Sequence, residues 1–207
     1  MNYSQQNYQP NTQFSVFPPA IRHLLIINGL FFVALTTPVI GQYLFVYGAL
    51  WPFGSGNFYP WQLVSYMFLH GGLGHIFFNL FALWMFGQAI ERTWGTNRFL
   101  VYYFITGIGA AILHMWISAG GAPTVGASGA VYGILLAFGM IYPERPIFLI
   151  FFPIPIKAKY FVAGYGALEL ANGLSRADSG VAHFAHLGGM IVGYILIKYW
   201  RKNGEIR

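Results

Sequence analysis

The stretch Gly126-Ala127-Ser128-Gly129-Ala130-Val131-Tyr132-Gly133 opens an apolar segment that continues to about residue 142. This segment is predicted to be a helix that is too short to cross a bilayer, since a spanning helix needs about 20 apolar residues. A helix of this length has to begin inside the membrane, so the hydroxyl of Ser128 is expected to be submerged. The G-x-S-G pattern alone is a weak signal, because small residues beside a serine commonly serve helix packing.

The composition indicates an integral membrane protein. Of the 207 residues, 57% are hydrophobic and only 8% are charged, whereas a soluble domain has about 25% charged residues. Apolar runs that could span a membrane are predicted near residues 20–37, 72–90, 98–118, 128–142, 159–174 and 180–199. We therefore expect an all-α membrane protein built as one bundle of six transmembrane helices.

This membrane domain accounts for nearly the whole chain. It is predicted over residues 20–200, preceded by a disordered polar tail at 1–19 and followed by a basic cytoplasmic tail at 201–207. The first twenty residues carry no charge, so they do not resemble a secretory signal with its basic start. The chain contains no cysteine, which excludes disulfides, thiolate metal sites and cysteine nucleophiles.

Positive charges are distributed unequally between the two sides of the predicted bundle. Of the 11 Lys and Arg residues, only Arg176 falls in a connection on the outer side. By the positive-inside rule both termini are expected to be cytoplasmic, in a membrane that we expect to be a prokaryotic plasma membrane. The net charge of +6 therefore reflects membrane topology and predicts no nucleic-acid partner.

The connection between the first two predicted helices, residues 38–69, is uncharged and rich in Trp and Tyr. These aromatic residues favour the headgroup level of a membrane, and the Gly and Pro residues among them interrupt helices. We therefore expect a first outer loop that is partly inserted in the membrane rather than a seventh spanning helix.

Polar side chains on three predicted helices reach a common depth in the membrane. At a rise of about 1.5 Å per residue, Ser128 and His75 each lie about 24 Å above the charged cytoplasmic end of their helix. Asn79 and His186 each lie about 18 Å above theirs. In a hydrocarbon core of about 30 Å, all four side chains are expected in one layer below the outer surface.

Within this layer, Ser128 and His186 are predicted to form a catalytic pair. A serine hydroxyl becomes a nucleophile when a neighbouring base takes its proton, and neutral histidine is the base suited to neutral pH. The five acidic residues are expected at or near helix ends or in the C-terminal tail, so the pair is predicted to be a dyad without an acid. His75 and Asn79 share one helix face and, with the backbone N–H of Ser128, are candidates to stabilise an oxyanion.

Metal or haem binding is an alternative interpretation of the histidines. His183 and His186, at i and i+3, could act as ligands together with His70 or His75. A zinc protease is disfavoured because the chain has no H-E-x-x-H motif, and no acidic residue is expected near these histidines.

Helix packing is a second alternative. Gly189 and Gly193 form a small-x-x-x-small face that lets another helix approach closely. The glycines around Ser128 would fit the same interpretation. Packing alone would leave the histidines unexplained, because ionisable residues are costly inside a membrane.

Three motifs follow one another along the predicted helices, and a fourth lies between the first two. The three are His70-Gly-Gly-Leu-Gly-His75-Ile-Phe-Phe-Asn79, Gly126-Ala127-Ser128-Gly129 and Ala185-His186-Leu187-Gly188-Gly189-Met190-Ile191-Val192-Gly193, and the fourth is Glu91-Arg92-Thr93-Trp94-Gly95. Their combination resembles the motifs of the rhomboid family of intramembrane serine proteases, over residues 20–200. One departure is Trp61-Gln62 in the first outer loop, where many relatives have Trp-Arg.

The resemblance implies a six-helix rhomboid-like fold and an endopeptidase that hydrolyses peptide bonds in or near transmembrane segments. It implies that Ser128 is the nucleophile and that His186 is the general base and acid. It also implies that His75, Asn79 and the Ser128 N–H surround the oxyanion. The residues implied to support this site are Tyr132, Gly126, Gly129, Gly189 and Gly193. Among them, Tyr132 is implied to pack against His186.

The resemblance also indicates what the protein acts on. Substrates are expected to be proteins with a single transmembrane helix, which enter sideways from the lipid bilayer, and no cofactor or metal is implied. The alternative is a catalytically silent rhomboid-like protein that binds membrane helices. Such relatives usually lack the serine or the histidine, and both residues are present in this chain.

Overall fold

The computed structural model describes residues 17–117, 122–149, 152–175 and 182–206. In chain order the elements are α1 (Pro19–Leu35), α2 (Pro38–Gly48), α3 (Gln62–Ser65), α4 (Leu73–Trp94), α5 (Thr96–Ile117), α6 (Ser128–Ile141), β1 (Pro146–Leu149), β2 (Phe152–Lys157), α7 (Ala158–Leu174) and α8 (His183–Lys202). The expected all-α fold class is confirmed. Most of the tail predicted at 1–19 and Arg176 of the charge count lie outside the described residues.

Six of the helices correspond closely in position to the six predicted apolar segments. Among the described residues, α4 and α5 are each long and apolar enough to cross a membrane. The pair α1 and α2 would add a third span if it is counted as one helix broken at its 118° bend. Because α6 is apolar but has only 14 residues, the total of six spans stays a prediction.

The first outer connection contains more helix than the sequence indicated. α2 begins at Pro38, in the first turn, where a missing N–H costs no helix hydrogen bond. Short 3₁₀ turns at Phe53–Ser55 and Tyr66–Phe68 and the single turn of α3 complete the connection. The described residues 38–69 thus form no single helix of spanning length, whereas their partial insertion in the membrane stays a prediction.

Gln62 organises the first outer connection. Its side-chain oxygen accepts hydrogen bonds from the N–H groups of Trp51 at 3.3 Å and Tyr59 at 3.2 Å. Its side-chain nitrogen donates to the carbonyl oxygens of Tyr47 at 3.3 Å and Asn57 at 3.0 Å. The residue that departs from the family's Trp-Arg pattern is therefore fully buried and saturated with hydrogen bonds.

A two-stranded antiparallel hairpin, which the sequence did not predict, joins α6 to α7. β1 and β2 pair with Pro146 opposite Lys157 and Ile147 opposite Ile156. Its sequence is one continuous apolar run, and such a run does not distinguish a strand from a helix. Lys157 at the end of the hairpin lies 2.7 Å from the carboxylate of Glu144, which follows α6.

At the opposite end of α4 from His75, Glu91 links three parts of the bundle. Its carboxylate accepts hydrogen bonds from the N–H groups of Ala20 at 2.8 Å and Ile21 at 2.9 Å. It also accepts one from the Thr96 hydroxyl at 2.8 Å. These bonds satisfy N–H groups at the start of α1 that have no partner within the helix, and Glu91 is only 2% exposed.

α6 lies in the interior of the bundle and contacts α4, α5, α7 and α8. Glycines on both sides of the α6–α8 contact allow the two helices to approach closely. A Cβ atom at Gly189 would collide with the carbonyl of Gly129 on α6. A Cβ atom at Gly193 would collide with the hydroxyl of Tyr102 on α5. The predicted small-residue face on α8 is therefore the face that packs against its neighbours.

Candidate active site

Ser128 is the first residue of α6, and the irregular segment before it is held by backbone hydrogen bonds. Leu50 and Thr124 exchange two such bonds of 2.9 Å, and the N–H of Gly126 donates to the carbonyl of Tyr66 at 2.9 Å. Gly126 has φ of 131°, a region that glycine adopts readily and other residues rarely do. The pairing satisfies non-helical backbone inside the protein, as membrane burial requires, and it fixes the position of Ser128.

The side chains of Ser128 and His186 are in direct contact. The Oγ atom of Ser128 lies 2.8 Å from Nε2 of His186, which is a normal hydrogen-bond length between these atom types. His186 is only 8% exposed. The two residues that the sequence predicted as a pair are thus brought together, with the imidazole nitrogen placed to receive the hydroxyl proton.

The Tyr132 ring covers one face of the His186 ring. The two ring centres are 4.3 Å apart, and the ring planes differ by only 6°. Tyr132 lies one turn after Ser128 on α6, so the same helix supplies the hydroxyl and the surface on which the imidazole rests. The packing contact that the family resemblance implied is therefore present.

An acidic side chain does reach this layer, and the expectation that none would was wrong. Glu169 of α7 is 7% exposed, and its Oε2 atom lies 3.0 Å from Nδ1 of His186. The same oxygen lies 2.7 Å from Nδ1 of His183, and the Tyr132 hydroxyl donates to Oε1 at 2.5 Å. The Oε2 and Nδ1 atoms are within ion-pair distance, but their geometry does not form a hydrogen bond.

The sequence does not predict this position, because Glu169 lies five residues before the end of α7 at Leu174 and an acid near a helix end is expected outside the layer of Ser128 and His186. The rise per residue along α7 gives the depth of Glu169. From Lys159 to Glu169 is ten residues, or about 15 Å, which is close to the height of about 18 Å obtained for His186. His183, for which the sequence predicts no catalytic role, is a hydrogen-bond partner of this carboxylate.

His75 lies beside the turn that carries Ser128. A Cβ atom built on Gly126 would be 2.7 Å from Nε2 of His75 and 3.7 Å from Oγ of Ser128. Asn79, one turn further along α4 and 6% exposed, donates one amide hydrogen to the His75 carbonyl at 2.9 Å. An amide nitrogen carries two hydrogens, so this bond leaves Asn79 a second one.

The histidines also bear on the metal alternative. Among the described residues, Glu169, His183 and His186 each offer one ligand atom, and these atoms lie within 4.8 Å of one another. His70 and His75, the other ligands considered from the sequence, are not members of this group; their rings contact each other with centres 5.1 Å apart. A three-ligand metal site is therefore geometrically possible, but with an acid in place of the expected third histidine.

The fold and this site define a helical membrane protein with a partly buried serine–histidine pair. Comparison with known proteins shows which family it belongs to. The rhomboid domain family matches residues 57–203. The chain therefore belongs to the rhomboid family, as its motifs indicated, and it is an integral membrane protein.

Curated relatives support the assignment. Rhomboid protease GluP of Bacillus subtilis is 34% identical over 136 residues, which cover 65% of this chain and 25% of GluP. Rhomboid protease GlpG of Yersinia pestis is 32% identical over 163 residues, which cover 76% of this chain and 54% of GlpG. Rhomboid protein 1, mitochondrial, of Saccharomyces cerevisiae is 30% identical over 149 residues, which cover 70% of this chain and 43% of the yeast protein. The chain thus spans between a quarter and about half of the length of these relatives.

Proposed function

We propose that the protein is an intramembrane serine endopeptidase in which Ser128 attacks the peptide bond and His186 transfers the proton. The observation that carries this proposal is the 2.8 Å contact between Oγ of Ser128 and Nε2 of His186. Membership of the rhomboid family, two of whose members described above are named rhomboid proteases, supports it.

In the first half of the reaction, Nε2 of His186 takes the hydroxyl proton as Oγ of Ser128 bonds to the substrate carbonyl carbon. The carbonyl electron pair moves onto its oxygen. When that pair returns, the C–N bond breaks and the imidazolium gives its proton to the leaving amine. A water molecule then hydrolyses the ester, with His186 taking a proton from water and returning it to Ser128.

The negative oxygen formed in this step is proposed to be stabilised by donors from two helices. The N–H of Ser128 belongs to the first turn of α6, where backbone N–H groups have no partner within the helix and the helix dipole favours negative charge. Nε2 of His75 lies beside the same turn, and Asn79 has an amide hydrogen to spare. In other enzymes the loss of one such donor costs about 3 to 4 kcal/mol of transition-state stabilisation.

The proposed substrates are proteins with a single transmembrane helix that enter from the bilayer. A peptide bond in a stable helix is inaccessible and its groups are already hydrogen-bonded, so cleavage is expected where small or helix-weakening residues let the chain unwind. With both termini cytoplasmic in a prokaryotic plasma membrane, Ser128 would lie in the outer half of the bilayer.

Two other functions are weaker candidates. A catalytically silent helix-binding protein has no need of a contacting serine and histidine, and this chain has both. A metal-dependent function is favoured only by the close approach of Glu169, His183 and His186. The family relatives are named as proteases or as a rhomboid protein, which gives neither candidate added support.

Cleavage of a model single-span substrate in proteoliposomes tests the proposal. Wild type should cut the substrate, whereas Ser128→Ala and His186→Ala should not. His23→Ala changes an exposed histidine of α1 and is the matched control, which should cut like wild type. Equal cleavage by Ser128→Ala, His186→Ala and wild type would eliminate the proposed mechanism. EDTA should leave the rate unchanged, and inhibition by EDTA that added zinc reverses would favour the metal-dependent function.

A further inference from the structure

The geometry points to Glu169 as a positioning residue for His186, an inference that rests on the proposed protease function. Its carboxylate holds the imidazole so that Nδ1 carries the hydrogen and Nε2 stays free to receive the proton of Ser128. The carboxylate also stabilises the imidazolium that forms during attack. The site would then work as a Ser128–His186–Glu169 triad rather than as the dyad expected from the sequence.

The position of Glu169 in its helix is the first reason. Among the described residues of α7, only Ala158, Val162 and Glu169 are buried. The carboxylate is therefore the main buried group in the outer half of a largely exposed helix. Burying a charged group in a membrane protein is unfavourable unless it is paired, so a carboxylate at this position requires partners that compensate the cost.

The three partners of the carboxylate meet that requirement, and they all belong to the active-site helices. Tyr132 of α6 donates to Oε1 at 2.5 Å, and Nδ1 of His183 of α8 lies 2.7 Å from Oε2. These two contacts hold the carboxylate from both sides. The same Oε2 then lies 3.0 Å from Nδ1 of His186.

The chemical consequence follows from the two nitrogens of the ring. An imidazole that donates from Nδ1 has its lone pair on Nε2, which is the atom 2.8 Å from the Ser128 hydroxyl. When Nε2 takes the serine proton, the ring becomes positive and the carboxylate 3.0 Å away stabilises it. The proton stays on the imidazole, so Glu169 assists the transfer without itself being protonated.

The present contact is close but not aligned, and this agrees with a positioning role. Catalytic hydrogen bonds are often long or bent in the absence of substrate and tighten in the reacting complex. Tyr132 stacks on His186 and donates to Glu169, so one residue restrains both the ring plane and the carboxylate. This role requires the ring to turn within that stack until Nδ1–H points at Oε2 in the reacting complex.

Steady-state cleavage of the same single-span substrate by Glu169→Gln provides the test. Glutamine has nearly the same shape but no charge. We expect kcat to fall by about tenfold or more, as removal of the acid from other serine–histidine systems lowers kcat by larger factors, with KM within about twofold of wild type. Glu169→Asp, which keeps the charge, should recover part of kcat. Glu144→Gln, the same change at an exposed acid paired with Lys157 and Lys159, should leave kcat unchanged.

Tyr132→Phe provides a second variant should Glu169→Gln not fold. It keeps the ring stacked on His186 and removes only the hydroxyl that donates to Glu169, so kcat should fall several-fold while the melting temperature stays close to wild type. Wild-type kcat in a folded Glu169→Gln protein would overturn the inference, as would wild-type kcat in Tyr132→Phe when Glu169→Gln does not fold.

Two further results separate this inference from the proposed function. If wild type and Ser128→Ala behave alike, the protease proposal itself fails. If EDTA removes wild-type activity and the purified protein contains bound zinc, Glu169 is a metal ligand and its positioning role is overturned.

Discussion

Gly189 of α8 lies directly against the backbone carbonyl of Gly129 on α6, one residue after Ser128. No side chain fits between the two helices at this point, so the distance between the serine and histidine helices is set by two glycines. Because His186 is three residues before Gly189 in the same helix, the close approach of the backbones and the contact of the catalytic pair are parts of one packing arrangement.

Gly189→Ala should therefore remove both stability and activity. The added Cβ would collide with the carbonyl of Gly129, and overpacking of this kind costs about 1 to 3 kcal/mol. Thermal unfolding and the cleavage rate are the measurements. Gly29→Ala in α1 is the control, since a Cβ there meets nothing within 4 Å. Wild-type stability in Gly189→Ala would show that the two helices can separate without cost.

Gly126→Ala should reduce activity more than stability. Its φ of 131° is unfavourable for alanine, and the new Cβ would lie 2.7 Å from Nε2 of His75. We expect kcat to fall at least about tenfold, in line with the effect of losing an oxyanion donor. Gly56→Ala also places alanine at positive φ, 75°, but in open space, so it should keep wild-type kcat. Similar kcat values for the two variants would show that His75 does not contribute to the reaction.

Glu91→Ala should destabilise the fold without altering the chemistry. It would leave the buried N–H groups of Ala20 and Ile21 without their acceptor, at a cost of about 1 to 3 kcal/mol each. The melting temperature should fall clearly, whereas kcat measured well below that temperature should stay near wild type. Glu205→Ala removes an exposed acid 3.7 Å from Arg98 and should have little effect. A melting temperature of Glu91→Ala equal to that of Glu205→Ala would contradict the capping role.

The junction between α6 and the hairpin should be sensitive to acid. Hydrogen bonds from Lys157 and then Lys159 lower the pKa of Glu144 to about 2 from its ordinary 4.5. A carboxylate with a lowered pKa stabilises the folded state fully above pH 4.5, and this stabilisation is lost as the pH falls toward 2. The difference in melting temperature between wild type and Glu144→Gln should therefore be constant near neutral pH and shrink below pH 4.5. A difference that does not change with pH would contradict the ion pairing.

The sequence was most informative where helix geometry alone decides the outcome. The limits of the six apolar helices follow from hydrophobic runs, and the constant rise per residue placed Ser128 and His186 at similar depths. The structure then shows these side chains 2.8 Å apart. A depth estimate carries no information on rotation about the helix axis, so the contact itself could not be derived from it.

Features that depend on tertiary context were missed. Glu169 was assigned to a helix end because nothing in the local sequence of α7 shows that its carboxylate meets Tyr132 and His183. The β1–β2 hairpin was missed because its sequence is a continuous apolar run, which does not distinguish a strand from a helix. Gln62 appeared only as a departure from a family pattern, whereas in the structure its amide accepts two hydrogen bonds from the surrounding backbone and donates two to it.

The central claim, that Ser128 is a nucleophile activated by His186, can be tested by covalent labelling. A fluorophosphonate phosphonylates activated serine hydroxyls with loss of fluoride, and its use needs no knowledge of the natural substrate. Intact-mass and peptide mass spectrometry on wild type should locate one adduct on Ser128, with His186→Ala labelled far more slowly and Ser128→Ala not at all. An adduct on another residue, or equal labelling rates for wild type and His186→Ala, would contradict the account.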